Sequence, residues 1–101
     1  MKIELYYFKG CPTYIETARN LKKALHELDM KESYKMIEVI DPKDAIRKKI
    51  LGSPSIKING TDIENKDGEY VFGCRIYSID NKITGTPTKE YILAKLKLFK
   101  T

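Results

Sequence analysis

The sequence lacks any stretch of apolar residues as long as a membrane span, and it begins without the pattern of an export signal. Met1-Lys2-Ile3-Glu4 leads directly into a strand pattern, with no charged leader, apolar segment or cleavage site. A membrane-spanning helix needs about 20 consecutive apolar residues. We therefore expect no membrane partner and no export, and we predict a cytoplasmic location.

Cysteine and histidine are scarce, with two cysteines and one histidine among 101 residues. This set contains no Cys/His cluster of the kind that binds zinc. In a chain without an export signal, two cysteines are more typical of catalytic, redox or metal-thiolate chemistry than of structural disulfides. No cofactor is expected.

The sequence also lacks internal repeats, linkers and low-complexity tracts, and its length is that of one domain. Hydrophobic residues make up 42% of the chain and charged residues 33%, which is typical of a globular protein in water. The net charge of +5 comes from small basic groups interleaved with acidic residues, and no nucleic-acid-binding motif accompanies them. We therefore expect no nucleic-acid partner.

Cys11 is the residue around which we expect the chemistry to be organised. It follows an apolar strand pattern, Ile3–Phe8, and precedes Pro12 and a segment with helical spacing. Cys11 therefore has the pattern of a helix N-cap and Pro12 that of the first helical residue. Such a sulfur would face the free N–H groups of Thr13 and Tyr14 and the positive end of the helix dipole, and both favour the thiolate.

Hydrophobic periodicity and turn signals predict the remaining elements. They give a strand over 3–8, a helix from 12 to about 28, a strand over 34–40 and a helix over 43–51 that Gly52 ends, with Ala45, Ile46 and Ile50 facing the core. A hairpin follows around Asn59-Gly60, with Thr61–Glu64 as its returning strand, and a last helix starts at Pro87 with Thr86 as its cap. The first half should be βαβα with parallel strands joined by a right-handed crossover, and the second half antiparallel.

The order of these elements, together with Gly10-Cys11-Pro12, Gly52-Ser53-Pro54-Ser55 and Ile58-Asn59-Gly60, resembles the thioredoxin-like fold. The resemblance implies a single α/β domain over residues 1–101 with three layers. Its central four-stranded mixed sheet would follow the order β-α-β-α-β-β-α, with an insertion at about 65–86 before the last helix. The resemblance also implies that the Ser53–Pro54 bond is cis, that Pro54 lies against Cys11, and that the Ser53 backbone pairs with substrate.

The chain departs from this family at the fourth position of the Cys-x-x-Cys motif, where Tyr14 replaces the second cysteine. A dithiol cycle within one motif is therefore excluded. If the Asn59-Gly60 turn returns the chain to the edge that holds Cys11, Cys74 becomes a candidate resolving thiol, disulfide partner or second soft-metal ligand. The alternative is that Cys74 is a buried apolar residue.

A closer resemblance concerns Cys11-Pro12 followed by Tyr14, the segment 52–55, and Gly73-Cys74-Arg75-Ile76-Tyr77. These features are similar to small thioredoxin-like proteins labelled as relatives of organomercurial lyase. That label implies two cysteines that hold mercury and an acid that protonates the leaving carbon. The full cysteine set and the catalytic aspartate of the lyase have no match here, so the resemblance favours a paired-thiol site.

Three functions follow from these patterns. The first is a thiol–disulfide oxidoreductase with Cys11 as nucleophile, Cys74 as candidate resolving thiol, and Pro12, Tyr14, Ser53 and Pro54 as substrate-binding residues; its partners are protein or small-molecule thiols and disulfides. The second is a lyase-like protein or a binder of soft ions such as mercury, arsenic or copper(I) through both thiolates. The third is a non-catalytic interaction module that uses Tyr14 and Tyr70–Phe72. Tyr14 can line the pocket, hydrogen-bond to the sulfur or only pack.

Overall fold

Three helices and six strands make up the regular structure of the described chain. The computed structural model describes residues 1–30 and 34–100. In chain order the elements are β1 (Ile3–Tyr7), α1 (Tyr14–Glu27), β2 (Lys35–Glu38), α2 (Pro42–Lys48), β3 (Ser55–Ile58), β4 (Thr61–Asp62), β5 (Tyr77–Ile79), β6 (Lys82–Thr84) and α3 (Lys89–Lys100). None of the helices within the described ranges has the length and apolar character needed to cross a bilayer.

A four-stranded mixed sheet in the order β2-β1-β3-β4 forms the centre of the fold. β1 pairs in parallel with β2, as expected for two strands joined by a helical crossover, and antiparallel with β3. β3 and β4 form the hairpin predicted from Asn59-Gly60, whose two residues have φ of 53° and 83°. The prediction of an α/β fold with a mixed sheet is confirmed.

The two faces of the sheet bury separate apolar clusters because successive side chains of a strand point to opposite faces. Ile3 and Leu5 of β1 pack with apolar residues of α1, β3 and α3: Leu21, Ala24, Leu25, Ile56, Ile58, Ile92 and Leu96. Tyr6 of β1 faces the other way and packs with Val39, Ala45 and Ile50, on the side of α2. α1 and α3 therefore lie together on one face and α2 on the other.

α2 differs from its predicted limits at both ends. It begins at Pro42, and Asp41 caps it by accepting a hydrogen bond from the Asp44 N–H at 2.8 Å. It ends at Lys48, because Lys49 takes the left-handed conformation with φ of 56°. The prediction of Gly52 as terminator is therefore wrong, and Ile46, predicted to face the core, is 58% exposed.

α3 starts two residues later than predicted. Its first helical residue is Lys89, and the Thr88 hydroxyl oxygen accepts a hydrogen bond from the Tyr91 N–H at 3.1 Å. Thr86 and Pro87 precede the helix, and Pro87 is buried. Thr86 and Thr88 both fit the pattern of a residue that caps a helix start. In the structure it is Thr88 that caps α3.

The segment predicted as an insertion contains a second sheet, β5 paired antiparallel with β6. This hairpin was not predicted, although Asp80-Asn81 stands between two short apolar-alternating segments; both residues have positive φ, 51° and 64°. The segment also contributes to the main core, because Tyr77 is fully buried within it.

Candidate functional site

Cys11 lies in a turn between β1 and α1. Its backbone N–H donates to the Phe8 carbonyl at 3.0 Å, which turns the chain back after the strand. α1 begins at Tyr14 with Thr13 as its N-cap residue. The prediction that Cys11 is the N-cap and Pro12 the first helical residue is therefore wrong, because the turn places both residues ahead of the helix.

The Cys11 sulfur faces protein atoms rather than solvent. The residue is only 4% exposed, and its Sγ lies 3.5 Å from the Ser53 carbonyl oxygen and 3.5 Å from the Thr13 Oγ1. The thiol donates in the contact with Ser53, since a carbonyl oxygen can only accept. The Thr13 hydroxyl in turn donates to the Gly85 carbonyl at 3.0 Å, so the end of the insertion closes over the start of α1.

Ser53 is the residue on which the site converges. The Ser53–Pro54 peptide bond is cis, as the resemblance to the thioredoxin-like fold implies. The Ser53 side-chain oxygen accepts from the Phe8 N–H at 3.3 Å, and its carbonyl contacts Cys11. Ser53 and Pro54 are both buried.

Both backbone polar groups of Ser53 are bonded to the insertion. The Ser53 N–H donates to the Gly73 carbonyl at 2.7 Å, and the Ser53 carbonyl accepts from the Arg75 N–H at 2.9 Å. These bonds form a parallel β-bridge between Ser53 and Cys74. We call Gly73-Cys74-Arg75 the bridging segment. The Ser53 backbone, expected to pair with substrate, is therefore paired with the protein's own chain in this structure.

Cys74 is exposed, in contrast to Cys11. Its backbone lies beside Ser53, so both cysteines adjoin the same residue. Both are free thiols, and they are not within disulfide distance of each other. The alternative that Cys74 is a buried apolar residue is wrong, because Cys74 is exposed.

Arg75 anchors the bridging segment through a buried ionic cluster. Its guanidinium donates to both carboxylate oxygens of Asp62 at 2.7 Å, to Glu64 at 2.7 Å and to the Ser55 hydroxyl at 3.0 Å. The guanidinium also lies 4.4 Å from the centroid of the Tyr77 ring. Arg75 is 4% exposed, so the insertion is tied to the β3–β4 hairpin by charges that are largely removed from water.

Tyr77 attaches the insertion to the residue after Ser53. Its hydroxyl donates to the Pro54 carbonyl at 2.6 Å. Burial raises the pKa of Tyr77 far above its ordinary value of 10.0, so the phenol keeps the proton that it donates. The cis-proline turn is thus bonded on one side to the bridging segment and on the other to β5.

Aromatic rings flank the cysteine turn. Tyr14 stacks on Tyr7 with ring centroids 4.4 Å apart and planes 19° apart, and Phe72 packs on Phe8 with centroids 4.9 Å apart. Tyr14 thus packs on β1, which is one of the three roles left open by the sequence. Pro12 is exposed, so it is the expected substrate-binding residue that solvent reaches most readily.

Sequence reasoning missed the anchors of the site, Arg75 and Tyr77 with the carboxylates Asp62 and Glu64. The signal was a period of two in the segment of Arg75 and Tyr77. Arg75 and Tyr77, two residues apart, are both buried while Ile76 between them is exposed, as on one face of an extended segment. Asp62 and Glu64 are instead brought together by the turn after β4, in which the Glu64 N–H donates to the Asp62 carboxylate at 3.0 Å.

Two clefts in the described part of the chain lie away from the cysteines. One of about 460 Å³ is lined by Lys49, Lys57, Lys66, Tyr70 and neighbouring residues of β4 and the insertion. Burial lowers the pKa of Lys57, which donates to the Lys48 carbonyl at 2.7 Å. A second, shallow cleft lies between α1 and Lys89. Neither cleft includes Cys11 or Cys74.

The cysteine site has two sulfurs and no further strong ligand set. Over residues 1–30 and 34–100, no three or more histidine, cysteine, aspartate or glutamate side chains come close enough together to hold a metal ion. The arrangement can therefore supply two thiols, one buried and one exposed, on either side of Ser53. Comparisons of the chain with protein-family models, with curated proteins and with solved structures give no match.

Proposed function

We propose that the protein is a thioredoxin-like thiol–disulfide exchange protein in which Cys11 and Cys74 form the redox pair. One observation carries this proposal: the Ser53 carbonyl lies 3.5 Å from the Cys11 sulfur, while the backbone of the same residue is bridged to Cys74. Two free thiols at one cis-proline turn are the groups that a disulfide exchange reaction needs. The element order and the mixed sheet support the thioredoxin-like assignment.

The proposed reaction moves two electrons between the protein and an external disulfide. The two cysteine thiols become one Cys11–Cys74 disulfide, and the external disulfide becomes two thiols that take up the two protons. The two sulfurs must approach to bonding distance, which requires a Cα separation of roughly 4.4–6.8 Å. The two sulfurs are not within this reach in the structure, so the reaction requires a movement of the Cys74 side chain and of the bridging segment toward Cys11.

The test is to incubate the reduced protein with glutathione disulfide and to identify its products by mass spectrometry after proteolysis. We expect a Cys11–Cys74 disulfide in the wild-type protein and its loss in Cys11→Ser and in Cys74→Ser. The double variant is the control for non-specific oxidation. A wild-type protein that accumulates glutathione adducts without an internal disulfide contradicts the proposal.

Soft-metal binding is a second candidate, because the same two free thiols are soft ligands placed beside one residue. Titration with mercuric ion tests it. Stoichiometric binding that needs both cysteines, in a protein that does not reduce glutathione disulfide, would favour this candidate over the first. The lyase-like reaction and the interaction module stay predictions.

A further inference from the structure

The two cysteines differ sharply in their access to solvent. Cys11 is 4% exposed, and its sulfur faces the Ser53 carbonyl and the Thr13 hydroxyl. Cys74 is exposed. Thiol–disulfide exchange needs the attacking sulfur to reach a sulfur of the other molecule, so access decides which thiol reacts first.

We propose that Cys74, not Cys11, attacks the external disulfide, and that Cys11 is the internal thiol that resolves the mixed disulfide. This inference rests on the proposed function and assigns the order of its two steps. It reverses the order that the position of Cys11 before a helix suggests from sequence alone.

The first argument is that the bridging segment, which is paired with the Ser53 backbone beside Cys11, is firmly attached. On one side of the bridging segment, Arg75 makes ion pairs with Asp62 and Glu64 at 2.7 Å. On the other side, the Val71 N–H donates to the Ile50 carbonyl at 3.0 Å, and Phe72 packs on Phe8. A segment held at both ends in this way opens rarely, so the environment that buries Cys11 persists while Cys74 remains in contact with solvent.

The second argument is that the backbone holds Cys74 next to the resolving thiol. Gly73 and Arg75, the residues on either side of Cys74, are both hydrogen-bonded to Ser53. The Cys11 sulfur contacts the carbonyl of that residue. A mixed disulfide formed on Cys74 is therefore held beside Ser53, the residue that the Cys11 sulfur also contacts, and this common neighbour favours the second step over release of the adduct.

The two steps balance in atoms and electrons. In the first, the Cys74 thiol gives its proton to solvent and its thiolate attacks one sulfur of the external disulfide, whose S–S bond breaks; one external thiolate leaves and takes up a proton. In the second, Cys11 gives its proton to solvent and its thiolate attacks the Cys74 sulfur. The second external thiolate leaves and is protonated. The net change is one protein disulfide formed and one external disulfide reduced to two thiols.

The experiment compares the first step in two variants with glutathione disulfide as the probe. Cys11→Ser should form a stable glutathione adduct on Cys74 at the initial rate of the wild-type protein. Cys74→Ser should react slower by about tenfold or more, because its remaining thiol reacts only when the structure opens. In concentrated urea the two variants should react at equal rates, which ties the difference to the fold.

A second measurement uses the wild-type protein, so that it does not depend on either variant folding. A short pulse of limiting iodoacetamide followed by peptide mapping should modify Cys74 before Cys11. Faster reaction at Cys11 in both experiments overturns the assigned order and leaves the two-thiol function intact if the internal disulfide still forms. Failure to form that disulfide in the wild-type protein instead overturns the proposed function, whichever thiol reacts first.

Discussion

At the scale of single residues, buried charge holds the site together more than the cysteines do. Arg75 is fully ionised at any ordinary pH, and it is buried against Asp62, Glu64 and the Tyr77 ring. A buried ion pair adds little net stability relative to an apolar replacement, but removal of one partner leaves an uncompensated charge in a poorly solvated place. The fold should therefore be sensitive to loss of the guanidinium.

Replacing Arg75 by alanine is expected to lower the free energy of unfolding by about 3–5 kcal/mol, because Asp62 loses its cation and Glu64 keeps only the more exposed Lys66, at 3.4 Å. Urea titration followed by circular dichroism measures this loss. Arg19→Ala is the matched control, since Arg19 pairs with Glu16 at 3.4 Å on the surface and should contribute less than ~1 kcal/mol. Equal and small losses in both variants would contradict the role given to the buried cluster.

Asp44 is a second buried charge, located in the first turn of α2. Hydrogen bonds from the Lys48 ammonium, the Ile40 N–H and Arg47 lower the pKa of Asp44 from an ordinary value of 3.8 to about 2. The pKa in the folded state is thus lower than in the unfolded state. The ionised carboxylate therefore stabilises the fold above pH ~4, and this stabilisation is lost as the pH falls toward 2.

Asp44→Asn is accordingly expected to be less stable than the wild-type protein at pH 7, with a difference that shrinks as the pH falls from ~4 to ~2. Urea midpoints measured across this pH range test the prediction. The exposed Asp67 gives a matched control through Asp67→Asn, for which no such narrowing is expected. A stability difference between the two proteins that stays constant down to pH 2 would show that the Asp44 side chain stabilises the fold through packing rather than through its charge.

At the scale of elements, short-range sequence patterns predicted the type and order of the helices and strands better than the residues at which they begin and end. The Asn59-Gly60 hairpin and the parallel pairing of β1 with β2 depend on turn chemistry and on crossover geometry, and both were predictable. The start of α1 was not, because Cys11-Pro12 has the local pattern of a helix start. The turn closed on Phe8 and the long-range bond from Thr13 to Gly85 move the helix start to Tyr14.

Gly52 and Gly60 both have positive φ, but only Gly52 lies against the bridging segment. A comparison of the two positions therefore measures how tightly that segment packs on the turn before the cis-proline. Gly52 has φ of +119°, and a Cβ there would lie 2.9 Å from the Arg75 Cβ and 3.1 Å from the Gly73 carbonyl oxygen. Gly60 has φ of +83° with no atom within 4 Å of such a Cβ. Both positions strain an alanine, but only the first also pushes on the bridging segment.

Gly60→Ala should therefore cost about 1–2 kcal/mol from backbone strain alone. Gly52→Ala should cost clearly more, and it should also speed alkylation of Cys11 by displacing the bridging segment. Urea titration and iodoacetamide mapping on the two variants provide both readouts. Equal costs together with unchanged Cys11 reactivity would mean that the contact between Gly52 and the bridging segment is not tight.

At the scale of the whole molecule, the insertion is part of the core rather than an attachment. Tyr77 is fully buried in the main cluster, and its hydroxyl donates to Pro54. The sequence predicted where the insertion lies but not that it contributes a side chain to the main core. Pairing between Ser53 and Cys74 joins residues far apart in the chain, and no local pattern specifies such a contact. The burial of Cys11 was missed for the same reason, since its sulfur faces the backbone of Ser53, which is far away in the chain.

Replacing residues 65–86 by a glycine–serine linker of equal length should abolish cooperative unfolding, because connectivity is retained while the core loses Tyr77 and the Arg75 cluster. Near-UV circular dichroism and urea titration measure the outcome. Replacing only residues 67–69, which are exposed, is the control and should leave the transition almost unchanged. A linker variant that still unfolds cooperatively at the wild-type midpoint would make the insertion dispensable.

The ring pair formed by Tyr7 and Tyr14 gives the molecule an internal optical reporter. The chain has seven tyrosines and no tryptophan, so its near-UV absorption and emission come largely from phenol rings. Two of these rings are stacked at 4.4 Å, one at the end of β1 and the other three residues after Cys11. Any event that moves the turn between them alters their coupling, so a rearrangement of this turn can be followed in the unlabelled protein by its near-UV signal.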